Sequence, residues 1–361
     1  MKMKMKKRTT LRLLSLLLVL LLTAAFAGCS AGSDSSSQSA SDSSGASGSS
    51  SQSASASQDS SSGGESGPVI NVAALKGPTG MGMVKLMQDN EDGVSANRYN
   101  FTIASAPEEV ATMLTSGEVD IAALPSNLGA NLYQKTEGKV KMAATNILGI
   151  LYIMEKGDSI QSAADLKGKT IVTSGQGSTP EYALNYILEQ NGIDPQTDVT
   201  IEYKSEHSEV ATLALAGQAD VIMVPQPFVT QIASKDESFR TALDISAEWE
   251  SLTGQELSMG ALVVRTAFLE ENQEAFDRFL EEYQRSTEFI NDSPEEGAAL
   301  VEKYDIMAAD VAQKAIPSCN IVFIAGEEMK SSTAAFLEIL YNANPASVGG
   351  ALPDDDFYYI S

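Results

Sequence analysis

The chain of 361 residues is 43% hydrophobic and 20% charged, which is typical of a globular protein with a sizeable core. Its formal net charge of -24 excludes a nucleic-acid-binding role, because phosphate backbones require a basic surface. Two cysteines and a single histidine do not provide the spacing of a metal site, so neither a metal nor another cofactor is predicted.

The first 28 residues are predicted to be an export signal. Five Lys and Arg residues precede Leu11, and the leucine-rich stretch 11–26 has 16 residues, too few for a transmembrane span of about 20. Ala27, Gly28 and Cys29 then resemble the lipobox of bacterial lipoproteins, in which the cysteine is acylated, for example with palmitate, and becomes the mature N-terminus. We predict lipid attachment at Cys29 on the extracytoplasmic face of the cell membrane. A plain secretory leader with an incidental cysteine is the alternative.

Residues 29–67 are predicted to be a disordered linker. Serine occupies 20 of the 38 positions from Ser30 to Gly67, and no large apolar residue offsets the entropy cost of ordering the segment. A flexible chain of this length spans roughly 35 Å. A folded domain on this linker can therefore stand clear of a membrane and still reach a partner in it.

The folded region begins at Pro68 with a strand, a tight loop and a helix. Val69–Leu75 is a short apolar run, and the turn residues after Lys76 pass into an apolar helical pattern that reaches Met87. The same order recurs at Ile171–Thr173, where a predicted strand leads through the loop 174–180 into a helix. Each loop is expected to present backbone N–H groups at the start of a helix.

An internal repeat shows that the chain contains two similar α/β units. Glu109–Pro125 and Glu209–Pro225, offset by 100 positions, share seven identities in 17 positions. Each copy predicts an amphipathic helix that ends at glycine, a turn, and a four-residue strand that stops at proline. The strands are apolar without alternation, as in parallel strands that are covered on both faces. Two open, mostly parallel sheets form two lobes, with ligands expected beyond the carboxyl ends of the strands.

These features together resemble the type II periplasmic-binding-fold solute-binding proteins of ABC importers, in the group for nitrate, sulfonate, taurine or thiamine-precursor uptake. The resemblance is carried by Lys76–Met81, the paired repeat units, Asp165–Ile171 ahead of Gly175–Thr179, and the lipobox. It implies a first lobe interrupted by a second, with a hinge between them. The implied limits are 68–156 for the first part of lobe one, 157–257 for lobe two, and 258–361 for the helical remainder of lobe one and the tail.

The candidate ligand-binding residues lie in the loops that follow the strands. N–H and hydroxyl groups at helix starts favour a carboxylate, sulfonate or phosphate group, although ordinary N-capping is the alternative. Ser126, Asn127 and Gln226 follow the repeat strands, and Asn146 lies next to the first predicted hinge strand. The complete set is Thr79, Gly80, Met81, Ser126, Asn127, Asn146, Gln176, Gly177, Ser178, Thr179 and Gln226. Lys76 is the only cation in the loops, which favours a neutral or helix-end-bound ligand.

The sequence predicts a binding protein without catalysis. The sole histidine, His207, has polar neighbours and is expected at the solvated surface, and no Ser/His/Asp set or phosphate loop is present. The resemblance implies a monomer that closes its lobes on a small solute and delivers it to ABC permease subunits with their ATPase. Two other functions stay open: an enzyme on the same fold, such as a lyase or a pyrimidine-precursor synthase, and a ligand-sensing lipoprotein without transport.

Overall fold

The computed structural model describes residues 67–360. The predicted signal peptide, the lipidated Cys29 and the linker up to Ser66 lie outside the described residues. None of the helices within 67–360 combines the length and the apolar character that crossing a membrane requires.

The strands in this part of the chain occupy short apolar segments, as expected for buried sheets. In chain order they are β1 Val69–Leu75, β2 Arg98–Ala104, β3 Ile121–Pro125, β4 Val140–Ile147, β5 Leu151–Lys156, β6 Thr170–Ser174, β7 Thr200–Lys204, β8 Val221–Pro225, β9 Phe239–Asp244, β10 Gly260–Arg265 and β11 Ile321–Ala325.

An α-helix follows most strands up to β9, except β4 and β5, and helices dominate the chain after β10. They are α1 Pro78–Met81, α2 Val84–Glu91, α3 Pro107–Ser116, α4 Ser126–Lys135, α5 Thr179–Gln190, α6 His207–Leu215, α7 Phe228–Lys235, α8 Ile245–Thr253, α9 Thr266–Asp292, α10 Pro294–Lys303, α11 Ala309–Ala315 and α12 Gly326–Ala343.

The strands form two sheets, which confirms the predicted two-sheet α/β fold. The first sheet has the order β11-β4-β10-β3-β1-β2, and the second has the order β7-β6-β8-β5-β9. Most strands of each sheet run in one direction, as predicted, but neither sheet is purely parallel: β10 is antiparallel to β3 and β4, and β5 is antiparallel to β8 and β9. Strand β11 is also antiparallel to β4, so it runs in the same direction as β10. The chain enters β5 and β10 directly from the elements of the other sheet, without a crossover helix to reverse its direction.

The chain passes between the sheets twice, and the two passages lie side by side. Residues 148–150 connect β4 to β5, and residues 254–259 connect α8 to β10. Gly260 packs so closely on Asn146 that a Cβ atom added to the glycine would lie 2.5 Å from Asn146 Oδ1. Such close packing requires glycine at this position.

The internal repeat corresponds to equivalent elements in the two sheets. Helices α3 and α6 begin 100 positions apart, and β3 and β8 both end at the predicted prolines, Pro125 and Pro225. Gly117 and Gly217 follow the two helices with φ of 82° and 68°. This left-handed conformation favours glycine after a helix end, which explains why both copies keep a glycine there.

Candidate functional site

A cavity of about 100 Å³, the first cavity, lies between the two sheets. It is lined by residues that follow β1, β2 and β3 in the first sheet and β6, β7 and β8 in the second. Within each sheet these three strands run parallel, so their carboxyl ends meet at the cavity. Both passages also contribute lining residues, Ile150 and Met259, and the adjoining strand ends contribute Ile147 and Gly260.

Helices begin around the first cavity on both sides. Pro107 at the start of α3, His207 at the start of α6 and Phe228 at the start of α7 line it, and Ser178 lines it just before α5. The first N–H groups of a helix have no partner within the helix, and they carry the positive end of its dipole. Several such ends around one small space favour an anionic group.

The internal repeat also supplies matching residues to the cavity. Ser105 and Ser205 both line it, and so do Pro107 and His207, in each case 100 positions apart. The two halves of the chain therefore present the same type of loop to the first cavity from opposite sides. The two loops differ chemically at Pro107 and His207, and at Ala106 and Glu206.

His207 is a site residue that the sequence did not predict, because its polar neighbours indicated a solvated surface position. The structure places its Nδ1 2.5 Å from the Ser174 hydroxyl and its ring 5.6 Å from the Phe228 ring, centroid to centroid. The imidazole is half-buried, and desolvation in this contact lowers the pKa of His207 to about 4. The imidazole is therefore neutral at pH 7 and offers hydrogen bonds instead of a positive charge.

We expect the lowered pKa of His207 to make stability fall with acidity. Since an unfolded histidine has a pKa near 6.5, the unfolded chain binds a proton between pH 6.5 and 4 that the folded chain does not. The free energy of unfolding should lose roughly 3 kcal/mol from this residue by pH 4. Urea denaturation at several pH values should show that the free energy of unfolding falls less steeply with acidity for His207→Gln than for the wild type.

Acidic residues with lowered pKa values, such as Glu155 and Asp236, also reduce the free energy of unfolding as the pH falls. Their contribution is common to both proteins and cancels in the difference between them. If the free energy of unfolding fell equally for the wild type and His207→Gln between pH 6.5 and 4, the lowered pKa assigned to His207 would be contradicted.

The formal charges that line the first cavity nearly cancel. Among the lining residues of the described chain, Lys76 is the one Lys or Arg and Glu206 is the one acidic residue. Lys76 Nζ lies 3.3 Å from an oxygen of Asp305, whose side chain is fully exposed, so the pair is weak. Binding of an anion here would depend on N–H groups, hydroxyl groups and helix dipoles more than on a formal charge.

Three of the predicted site residues line the first cavity: Thr79, Ser178 and Gln226. The Thr79 hydroxyl exchanges hydrogen bonds with the backbone of Leu75 at 3.1 Å. The Ser178 hydroxyl donates to the carbonyl of Gly175 at 2.7 Å. The Gln226 side-chain oxygen accepts from the Thr230 hydroxyl at 2.9 Å. These bonds hold the side chains in place at the ends of β1, β6 and β8.

The remaining predicted residues lie around the cavity without lining it. Gly80 and Met81 are buried against β1 and in the core, Gln176 and Gly177 are exposed, and Ser126 lies 2.8 Å from Ser258, hydroxyl to hydroxyl. Asn146 donates to the Tyr283 hydroxyl at 3.2 Å, and its own oxygen has no partner within residues 67–360. Ligand contact by any of the predicted residues stays a prediction.

Asn127 connects the two halves of the site. Its Nδ2 donates to the carbonyl of Ser347 at 3.0 Å and to the carbonyl of Gly177 at 3.4 Å, and its Oδ1 accepts from the Thr179 hydroxyl at 3.1 Å. Asn127 and Thr179 are both fully buried. One side chain at the start of α4 therefore holds the loop between β6 and α5, which faces the first cavity.

Comparisons with known proteins agree with this architecture. Residues 94–315 match the family model of the periplasmic substrate-binding protein of a phosphonate ABC transporter. A solved ABC transporter structure from Parabacteroides distasonis is 26% identical, with a TM-score of 0.66, and the match covers 81% of this chain and 98% of that one. Among curated proteins no match is found.

Two sulfonate-binding proteins share the fold at lower identity. The periplasmic aliphatic sulphonate binding protein SsuA of Escherichia coli is 16% identical, with a TM-score of 0.64 and coverage of 81% of this chain and 92% of that one. The alkanesulfonate-binding protein SsuA of Xanthomonas axonopodis pv. citri, bound to MOPS, is 15% identical, with a TM-score of 0.63 and coverage of 79% and 94%. With the family model, these likenesses confirm the solute-binding fold and role predicted from the sequence. The chain belongs to the family of phosphonate periplasmic substrate-binding proteins of ABC transporters.

Proposed function

We propose that this chain captures a compact solute with a phosphonate or sulfonate group in the first cavity and delivers it to an ABC permease. The observation that carries the proposal is the convergence of helix starts from both sheets on one small cavity. Each helix end stabilises an anion by about 0.3–1 kcal/mol. Four such ends contribute about 1–4 kcal/mol, and hydrogen bonds from the N–H and hydroxyl groups nearby must supply the rest of the about 8 kcal/mol that micromolar binding requires.

The lining supports a small ligand with an apolar part. Pro107, Pro125, Pro180 and Phe228 face the cavity beside the hydroxyl groups of Thr79, Ser105, Ser174, Ser178 and Ser205. The volume of about 100 Å³ lies well below the roughly 300–1,000 Å³ of sites for drug-sized molecules. A short alkyl chain on an oxyanion head group matches both properties.

Capture is proposed to proceed by closure of two lobes about the paired passages. The lobes would comprise residues 68–147 with 260–360, and residues 151–253. These limits differ from the sequence-based ones at 156 and 257, because β5 pairs with β8 and β9 of the second sheet. A ligand that contacts loops from both sheets stabilises the closed form, because only that form satisfies all of its hydrogen bonds. The permease subunits and their ATPase would recognise this closed form of a monomeric receptor.

The chain is further proposed to act as a lipoprotein. An export signal over residues 1–28, acylation of Cys29 and a serine-rich linker would anchor the folded region to the extracytoplasmic face of the cell membrane. The linker length of roughly 35 Å would permit contact with a permease in the same membrane.

We also propose that the site binds without catalysing a reaction. The nearest approach to a catalytic pair is Ser174 with His207, at 2.5 Å. An imidazole with a pKa of about 4 is a weak base at pH 7, whereas an effective general base has a pKa near the working pH. Incubation with phosphonates should therefore return them unchanged, and release of phosphate or of any other product would contradict this part of the proposal.

Isothermal titration of the full-length protein tests the ligand class. We expect methylphosphonate or ethanesulfonate to bind at micromolar concentrations, and the uncharged analogue dimethyl sulfone not to bind. Ser178→Ala should weaken binding about fivefold, because one hydrogen bond of about 1 kcal/mol that orients the loop before α5 is lost. Ser332→Ala, on the exposed face of α12, is the matched control and should bind as wild type does. Equal binding of the uncharged analogue, or no binding of either anion, would contradict the proposed ligand class.

A further inference from the structure

A second cavity, of about 210 Å³, lies between α5 and the end of α12. On α5 it is lined by Tyr182, Asn185, Tyr186 and Glu189, and the segment 194–196 and the last residues of α12 complete it. It shares no lining residue with the first cavity. The site proposed for the solute therefore does not account for it.

The charged groups that line the second cavity are all acidic. Glu189 and Asp194 contribute two carboxylates, and the lining residues, all within 67–360, include no Lys, Arg or His. The side-chain oxygen of Asn185 is buried and has no hydrogen-bond partner among the described residues. Leaving a buried acceptor unpaired is unfavourable, because it has lost its hydrogen bonds to water. A ligand with N–H donors would satisfy it.

The aromatic residues of the second cavity also favour a positive charge. Tyr182 and Tyr186 lie four positions apart on α5, so they share one face of the helix. The face of a tyrosine ring attracts an ammonium group, and the attraction is stronger when water is excluded. Leu340, Ala343 and Asn344 stand at the carboxyl end of α12, where the helix dipole is negative.

Other ligand classes fit this lining poorly. Among the described residues, no group of three or more His, Cys, Asp or Glu residues is placed to hold a metal ion. Two carboxylates repel an anion, and a purely apolar molecule would leave the Asn185 oxygen unpaired. We propose that the second cavity is a binding site for a small organic cation that carries an ammonium group. The proposal does not depend on which solute occupies the first cavity.

The single tryptophan of the chain provides a local reporter for this site. Trp249 is fully buried, and its ring centroid lies 5.1 Å from that of Tyr186, which lines the second cavity. We expect n-butylammonium to produce a saturable change in the tryptophan fluorescence of the full-length protein at constant ionic strength. Neutral 1-butanol, which has the same alkyl chain, should produce none.

Variants distinguish the proposed site from general attraction of cations to an acidic protein. Glu189→Gln with Asp194→Asn should weaken n-butylammonium binding at least tenfold. Glu118→Gln, an exposed carboxylate after α3, is the matched control and should leave binding unchanged. Asp194 also accepts a hydrogen bond from the Gln196 backbone at 2.8 Å. Glu189→Gln alone, at an exposed position of α5, therefore serves as the variant that keeps this turn intact.

Three results would overturn the proposal. The first is a fluorescence change that does not saturate, and the second is an equal response to 1-butanol. The third is an n-butylammonium affinity that Glu189→Gln leaves unchanged, or that Glu118→Gln lowers as much as Glu189→Gln does. Binding of methylphosphonate or ethanesulfonate to the Glu189→Gln protein should equal that of wild type. This readout keeps a failure at the second cavity distinct from a failure at the first.

Discussion

Replacing Trp249 by alanine is expected to lower the free energy of unfolding by about 3–5 kcal/mol. The side chain is fully buried on α8 and contacts two aromatic residues from other elements. Its ring centroid lies 5.1 Å from Tyr186 on α5 and 5.6 Å from Phe336 on α12. Trp249 therefore joins helices of the second sheet to a helix that packs on the first, and its removal leaves a cavity at their junction.

Urea denaturation followed by far-ultraviolet circular dichroism measures this effect without relying on the tryptophan itself. Trp249→Phe keeps an aromatic ring in the same place and should lose much less stability than Trp249→Ala. Leu252→Ala, on the same helix at a position 41% exposed, is the surface control and should cost under about 1 kcal/mol. A loss for Trp249→Ala as small as that of the control would show that the aromatic junction contributes little to the fold.

The local elements of this fold could be predicted because their signals are local. Pro125 and Pro225 end β3 and β8 where the repeat predicted, and Gly117 and Gly217 have the positive φ that a glycine after a helix end indicates. The directions of β5 and β10 could not be predicted in this way. A strand's direction within a mixed sheet depends on the end of the sheet at which the chain enters. The apolar sequences of these two strands do not indicate which end that is.

The site was predictable to the extent that it lies at strand ends. Thr79, Ser178 and Gln226 line the first cavity because loops after parallel strands converge there. His207 was not predicted, since its immediate neighbours are polar and its burial comes from Ser174 and Phe228, which are distant in sequence. Its position 100 residues after Pro107, the start of the equivalent helix, was the one available signal.

Replacing Asn127 by alanine is expected to release the loop that leads into α5. The change removes the hydrogen bonds to Ser347, Gly177 and Thr179 and leaves buried polar groups without their partner. At about 1 kcal/mol for each bond, the free energy of unfolding should fall by about 2–4 kcal/mol. Amide hydrogen exchange of residues 175–179 should accelerate. The amides of β1, which form no hydrogen bond with this side chain, should exchange faster only to the extent that global unfolding becomes easier.

Asn131→Ala provides the matched control for this effect. Asn131 lies one helical turn further along α4 and donates a single long hydrogen bond, 3.4 Å, to the carbonyl of Ala346. Its replacement should change stability by less than about 1 kcal/mol and leave exchange in the loop unaltered. Equal exchange of residues 175–179 in wild type and Asn127→Ala would mean that the loop keeps its position without this side chain. The link between the two halves of the site would then come from other contacts between them, such as that of the Trp249 ring with Phe336 on α12.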